Sequence, residues 1–151
     1  MRIVLQKVSQ ASVTVDSQII STIKHGYMLL VGISVDDTIE DIKKLSNKVL
    51  TLRLYENEDT QTIWKHNIKD AKGEILSVSQ FTLYAKTKKG TKPDFHLAQK
   101  GEIAQNLYNE FLKQLRDEMG EDKVKDGQFG AMMSCGLTNE GPITIILDSQ
   151  N

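Results

Sequence analysis

The sequence predicts an α+β fold in a single domain covering residues 1–151, built from several antiparallel strands and two helices. Three observations carry that prediction. At 151 residues the chain is one domain's worth of sequence, long enough to bury a core without disulfides or metal. Strand-length segments rich in β-branched residues crowd the first third and return towards the end. Only two stretches repeat apolar residues at helical spacing.

The elements follow in order. Ile3, Leu5 and Lys7 alternate with Val4 and Val8 as a first strand, followed by a β-branched run over 11–15, a polar Asp16-Ser17-Gln18 turn and a second hairpin arm over 18–23. Residues 27–33 form a short apolar run of the kind found in fully buried strands. Asp36-Asp37-Thr38 reads as a helix start, with Glu40 three residues after Asp37 as in a capping box, and Ile39, Ile42, Leu45 and Val49 then recur at helical spacing. Residues 50–55 revert to strand chemistry, 56–73 is polar and irregular, and 74–84 reads as one long strand. After a lysine-rich turn, 98–119 is the strongest helix, with Ile103, Leu107, Phe111, Leu115 and Met119 on one stripe and Gly120 as its stop. The tail predicts a strand pair, 131–137 and 143–147, around the loop 138–142. No repeat, low-complexity tract or interdomain linker interrupts the chain.

Composition limits the function classes. Nineteen Lys and Arg against twenty Asp and Glu give a formal net charge of -1, so no global basic field marks a nucleic-acid binder, and any RNA contact must be local. The longest run of apolar residues and glycine, 27–33, is far short of the roughly 18–20 residues needed to span a bilayer. Arg2 and Lys7 fall where a signal peptide would need its apolar core, so a cytoplasmic protein with no membrane partner is expected. The single cysteine, Cys135, excludes an intramolecular disulfide and reads as a small core hydrophobe. His25, His66 and His96 lack the spacing of a zinc site, so no metal is expected.

The common catalytic signatures fail: there is no G-x-S-x-G, no phosphate-binding G-x-x-x-x-G-K-[ST], no H-E-x-x-H and no zinc-deaminase pair of motifs. Gly127-Gln128-Phe129-Gly130 matches a GXXG nucleic-acid clamp, a short pattern that also arises by chance. Lys86, Lys88, Lys89 and Lys92 are the one concentration of positive charge, readable as a solvated loop or as a phosphate contact. Two segments are too polar for their setting. In 77–83 alternation places Ser79, Phe81 and Leu83 on one strand face and Gln80 and Thr82 on the other, which either cross-strand pairing or a site would explain. Asn139-Glu140-Gly141-Pro142-Ile143-Thr144 reads as a hairpin turn or as a built loop.

Together these segments resemble the D-aminoacyl-tRNA deacylases. Ser79-Gln80-Phe81-Thr82-Leu83 is similar to that family's S-Q-x-x-L motif, and Asn139 through Thr144 to its N-x-G-P-[VI]-T motif. The likeness runs through 6–13, Leu52-Arg53-Leu54-Tyr55, 89–95 and Phe129-Gly130-Ala131-Met132-Met133, essentially the whole chain. Lys7 departs from the family's usual arginine and loses its forked hydrogen bonding; Lys92 replaces a frequent arginine.

The resemblance implies a barrel-like core of antiparallel and mixed sheets flanked by two main helices, in a homodimer that needs no cofactor. It implies hydrolysis of the ester joining a D-amino acid, or glycine, to the terminal adenosine of tRNA, with no DNA partner. Gln80, Phe81 and Thr82 would form the catalytic segment. Ser79, Phe129, Ala131, Met133, Asn139, Gly141, Pro142, Ile143 and Thr144 would bind substrate, with Gly141-Pro142 cis and inserted into the other subunit's pocket. The four lysines would meet phosphates at the tRNA acceptor end. Two other readings remain open from the residues: a non-catalytic module that holds a tRNA end, and an esterase acting on small D-amino-acid esters.

Overall fold

A fourteen-residue strand, β1 (Arg2–Val15), organises the computed structural model, which describes residues 1–151. The two strands expected over 2–15 are one. Burial alternates over Ile3 and Leu5, slips a phase at Val8, and slips again before Ala11 and Val13. The slips coincide with register shifts at Gln6/Val8 and Val8/Gln10. Such bulges bend a strand and re-aim its side chains, so one strand serves two cores.

β1 pairs antiparallel with β2 (Gln18–Ile23), with β3 (Gly26–Gly32) and, along nearly its whole length, with β6 (Ser134–Asp148). β3 runs parallel to β4 (Glu74–Ser79), and β4 parallel to the short β5 (Val124–Asp126). The path β2-β1-β3-β4-β5 curls until the Ser21 hydroxyl on β2 donates to the Asp126 carbonyl on β5, nearly closing a barrel. Inside it Val8, Ala11, Val13, Ile23, Met28, Leu76 and Val78 form a small core. The larger core lies between the sheet and the packed pair α1 (Ile39–Thr51) and α2 (Gly101–Met119). No helix is long and apolar enough to cross a membrane.

Several boundaries differ from the sequence expectation. The α1 capping box is Thr38 with Asp41, while Asp37 turns inward to accept from the Ser34 N–H and the Met1 ammonium, at 2.7 and 2.5 Å. Residues 50–55 are no strand: α1 runs on to Thr51, and only Tyr55 pairs, with His66. Within α2 the buried stripe is Ala104, Tyr108, Phe111, Leu112 and Leu115, and Ile103 is 59% exposed, because α2 packs on both the sheet and its neighbour α1 and buries a face rotated from the i, i+4 row. The expected tail hairpin is instead the continuous β6, both of whose arms lie against β1. Cys135 is exposed on that strand rather than in the core, because nothing covers the faces of β6 there and no residue of the strand is fully buried.

Candidate functional site

The expected long strand over 74–84 stops at Ser79. Its partner β3 ends at Gly32, and the Gln80 N–H makes the last bond, to the Val31 carbonyl at 2.7 Å. The chain then closes into a 3-10 turn over Phe81–Tyr84. The face alternation expected for residues 81–83 therefore does not exist. The turn lies so close to β3 that a Cβ on Gly32 would stand 3.0 Å from the Leu83 Cβ and 3.1 Å from the Gln80 carbonyl oxygen. Arg2 braces it from below, donating to the Leu83 carbonyl at 3.1 Å and to Asp148 at 3.0 Å, with its guanidinium 4.6 Å from the Tyr84 ring.

The turn presents its groups outward. Phe81 is 55% exposed and meets Phe95 edge to face at 5.0 Å. The Gln80 amide donates to the Thr82 hydroxyl at 2.6 Å, which fixes both side chains. Phe81 and Thr82 open the turn, so their N–H groups have no acceptor within it. A cavity of about 380 Å³ lies alongside, lined by Ser79, Gln80 and Phe81, by Phe95, Gln99 and Lys100, and by Phe129 and Gly130. Val31, Ile33, Ala98 and Ala104 supply its apolar floor. Apolar walls with a few convergent polar groups are the usual make-up of a small-ligand site.

Of the site residues expected from sequence, Ser79, Gln80, Phe81 and Phe129 thus share one cavity, with Thr82 tied to Gln80. Ala131 and Met133 do not line it. The Met133 sulfur instead accepts the Gln128 N–H and packs on the small core. Lys86, Lys88, Lys89 and Lys92 are exposed and pair with no carboxylate. They occupy a loop pinched by reciprocal backbone bonds between Lys86 and Asp94, one residue from Phe95 in the cavity wall.

The second motif stands apart. Opposite the single residue Lys7, β6 spends four residues, Glu140 through Ile143, between its pairings at Asn139 and Thr144. The resulting loop projects from the sheet, and its Gly141–Pro142 peptide bond is cis. Asn139 closes it: the side-chain oxygen accepts from the Ile143 N–H at 2.8 Å, and the amide donates to the Ile143 carbonyl at 3.2 Å and the Thr144 hydroxyl at 3.0 Å. Gly141 and Pro142 are exposed and absent from the Phe81 cavity, while Glu140 lines a different, polar one with Lys7, His25 and Tyr55. The Lys7 ammonium sits 4.4 Å from the centre of the Tyr55 ring.

This arrangement can be set beside known proteins. A model of the family described as D-Tyr-tRNA(Tyr) deacylase matches residues 4–148. The chain belongs to that family. It is 75% identical over 149 residues to a D-aminoacyl-tRNA deacylase of Saccharomyces cerevisiae, and 72% identical over 149 residues to one of Candida glabrata, covering 99% of each protein in both cases. Among solved structures, a protein named c-Myc DNA Unwinding Element Binding Protein superposes with a TM-score of 0.92 at 45% identity, over 98% of both chains. A probable eukaryotic D-amino acid tRNA deacylase superposes at 0.84 with 19% identity, a likeness that shows the fold alone. In this deacylase-family chain, Phe95, Gln99 and Lys100 join the site unannounced by sequence patterning. Their one local signal is that Phe95 follows the lysine loop.

Proposed function

We propose that this chain hydrolyses the ester between a D-amino acid, or glycine, and the terminal adenosine of tRNA, acting in the cytoplasm as a homodimer without a cofactor. Family membership supports the reaction, and one observation carries the mechanism. The two polar motifs do not meet within one chain: Ser79, Gln80 and Phe81 line a cavity that Gly141 and Pro142 leave open, while the loop bearing those two residues extends into solvent. A second copy, offering its own loop, would complete the site.

The energetic requirement favours such a device. Sparing the abundant L-aminoacyl-tRNA by 10⁴-fold needs about 5.5 kcal/mol of differential barrier. One methylene contact supplies only about 1–3 kcal/mol. A rigid Gly-Pro loop, pinned through Asn139, can hold main-chain carbonyls against the substrate ammonium and leave no volume where an L side chain would project. Glycine, with no side chain, passes the same filter.

Phe129 and Phe81 offer aromatic surfaces for the adenine ring, and the loop of Lys86, Lys88, Lys89 and Lys92 meets the neighbouring phosphates. In the chemical step a water oxygen attacks the ester carbonyl carbon. The N–H groups of Phe81 and Thr82 stabilise the oxyanion, and the water proton passes to the departing ribose oxygen with the adjacent 2′-hydroxyl assisting. Gln80 and Thr82 hold the turn in shape through their mutual hydrogen bond.

Matched D- and L-aminoacyl-tRNA incubated with the protein, with and without chelator, test the reading. Deacylation of the D form alone, unaffected by chelator, is expected. Comparable cleavage of the L form would sink the chirality argument, and binding without cleavage would leave a tRNA-end module. Thr82→Ala should retain measurable turnover; complete loss with intact tRNA binding would assign the reaction to its hydroxyl.

A further inference from the structure

Ser77 is a hydroxyl in the apolar centre of β4, fully buried, and nothing in the catalytic scheme uses it. Its partner is Tyr108 on α2, also fully buried, whose phenol oxygen lies 3.0 Å from the Ser77 Oγ and 2.6 Å from the Asp126 Oδ1. A phenol has one proton. The shorter contact, to the carboxylate, takes it, and the Ser77 hydroxyl donates in return. Phenylalanine would fill the same volume without placing a buried oxygen that must find partners. The hydroxyl therefore has a geometric task.

Its two partners identify that task. Ser77 lies two residues before Ser79, where the chain enters the cavity, and Asp126 lies immediately before the Gly127-Gln128-Phe129-Gly130 loop, whose Phe129 and Gly130 line the same cavity. The two are register partners in the β4–β5 pair, and the Gly127 N–H donates to the Ser77 carbonyl at 3.1 Å. The Tyr108 ring also packs against Phe129, with centroids 5.9 Å apart. β4 is held on both sides by other strands, whereas β5 is three residues long and ends the sheet path, with the Ser21 hydroxyl of β2 on the Asp126 carbonyl beside it. The loop's position therefore depends on side-chain contacts, and Tyr108, its anchor, supplies them through Asp126 and Phe129.

We propose that Tyr108 is a positioning residue for the substrate pocket: through Asp126 and Ser77 its phenol fixes the Phe129 loop at the distance from the Ser79–Phe81 segment that the nucleoside requires. The proposal rests on the reading of this cavity as the place of the terminal adenosine. Phe129 lines the cavity but is no part of the Phe81–Tyr84 turn, so loosening it weakens ground-state and transition-state binding alike and raises KM without lowering kcat.

The test measures KM and kcat for D-tyrosyl-tRNA with the full-length protein, alongside thermal melts. Tyr108→Phe should raise KM about five- to tenfold with kcat within twofold. Asp126→Ala should do the same, the double variant should be no worse than either single, and Asp126→Asn, which keeps an acceptor for the phenol, should recover most of the lost KM. If Tyr108→Phe is unfolded at the assay temperature, the Asp126→Ala and Asp126→Asn pair decides the question from the strand end. An unchanged KM in Asp126→Ala, or a fall in kcat at constant KM, overturns the anchor. Phe129→Ala separates the two ideas. If it raises KM while the Tyr108 and Asp126 variants do not, the anchor fails and the pocket stands. If it too leaves KM unchanged, the adenosine reading of the cavity fails.

Discussion

Asn139 closes the Gly141-Pro142 loop with three hydrogen bonds that no other side chain duplicates, so it is the sharpest place to test that loop. Asn139→Ala should destabilise the protein by about 1–3 kcal/mol. At this chain length that lowers Tm by roughly 2–12 °C. It should cost at least tenfold in kcat/KM for D-aminoacyl-tRNA, since the loop proposed to filter substrate loses its shape, while Thr144→Val, which removes only one of the three bonds, should cost less in both. Melting curves and deacylation rates check this; an active Asn139→Ala protein would uncouple the loop from the site. Asn139, Gly141 and Pro142 were legible in sequence because a polar, Gly-Pro-containing stretch between strands is locally anomalous. Tyr108 and Ser77 were not, because a tyrosine on an apolar helix face reads as packing until the partner of its hydroxyl, 31 residues away, is known. Cys135 misled for a related reason: its apolar neighbours predict burial only if the strand is covered on both faces, and β6 is not.

At the scale of elements, the Phe81–Tyr84 turn shows where strand periodicity fails. Alternation alone continues the strand through Leu83, but a strand lasts only as long as its partner, and β3 stops at Gly32. Gly32→Ala should push the turn outward by a few tenths of an ångström, because the new methyl would meet the Leu83 Cβ at 3.0 Å and a backbone oxygen at 3.1 Å. That displacement moves the proposed oxyanion donors, so kcat should fall about tenfold or more while tRNA binding changes little, as single-turnover rates and filter binding would show. Arg2 supports the same turn and adds a pH dependence. Partial burial raises the Asp148 carboxyl, but the Gln150 N–H and Arg2 outweigh it and hold the group below its ordinary 3.8. With the native value depressed, the unfolded chain binds more protons between the two values. The stability is therefore present above about pH 4 and lost as pH falls through the native value. Arg2 is 42% exposed on its side chain, so solvent screening limits the ion pair to about 1 kcal/mol. Arg2→Met should lower Tm by a few degrees at pH 7 and flatten the acid limb of the Tm profile below pH 4. The helices were more legible than the turn. Their existence followed from spacing, but the face buried by α2 was set by α1 and the sheet, and local periodicity does not encode that docking.

For the whole molecule, the accessible surface is 8916 Å², against about 7,700 Å² expected for a monomer of this mass. The excess is of the order that one partner buries in a standard interface, about 800 Å². β6 has an unpaired edge, Ile146 is 74% exposed, and the Gly141-Pro142 loop stands outside the cavity it would complete. A homodimer with shared sites accounts for all three, and subunit mixing discriminates it from two self-sufficient chains. Gly141→Leu should disable the loop: φ at Gly141 is +133°, and a Cβ there would lie 2.7 Å from the Ile143 Cγ1. Gln80→Ala, which strips a group from the cavity wall as well as the bond to Thr82, should disable the pocket where Thr82→Ala does not. Each homodimer is then inactive. When the two variants are unfolded together and refolded, half of the dimers are mixed. Each mixed dimer holds one site with both parts intact, the pocket of the Gly141→Leu chain entered by the loop of the Gln80→Ala chain. Deacylation of D-aminoacyl-tRNA should therefore recover to about one quarter of the wild-type rate, from zero in either variant alone. Recovery in that proportion requires that a working site draw on two chains. No recovery, with mixed dimers confirmed by mass, would return the loop to its own subunit.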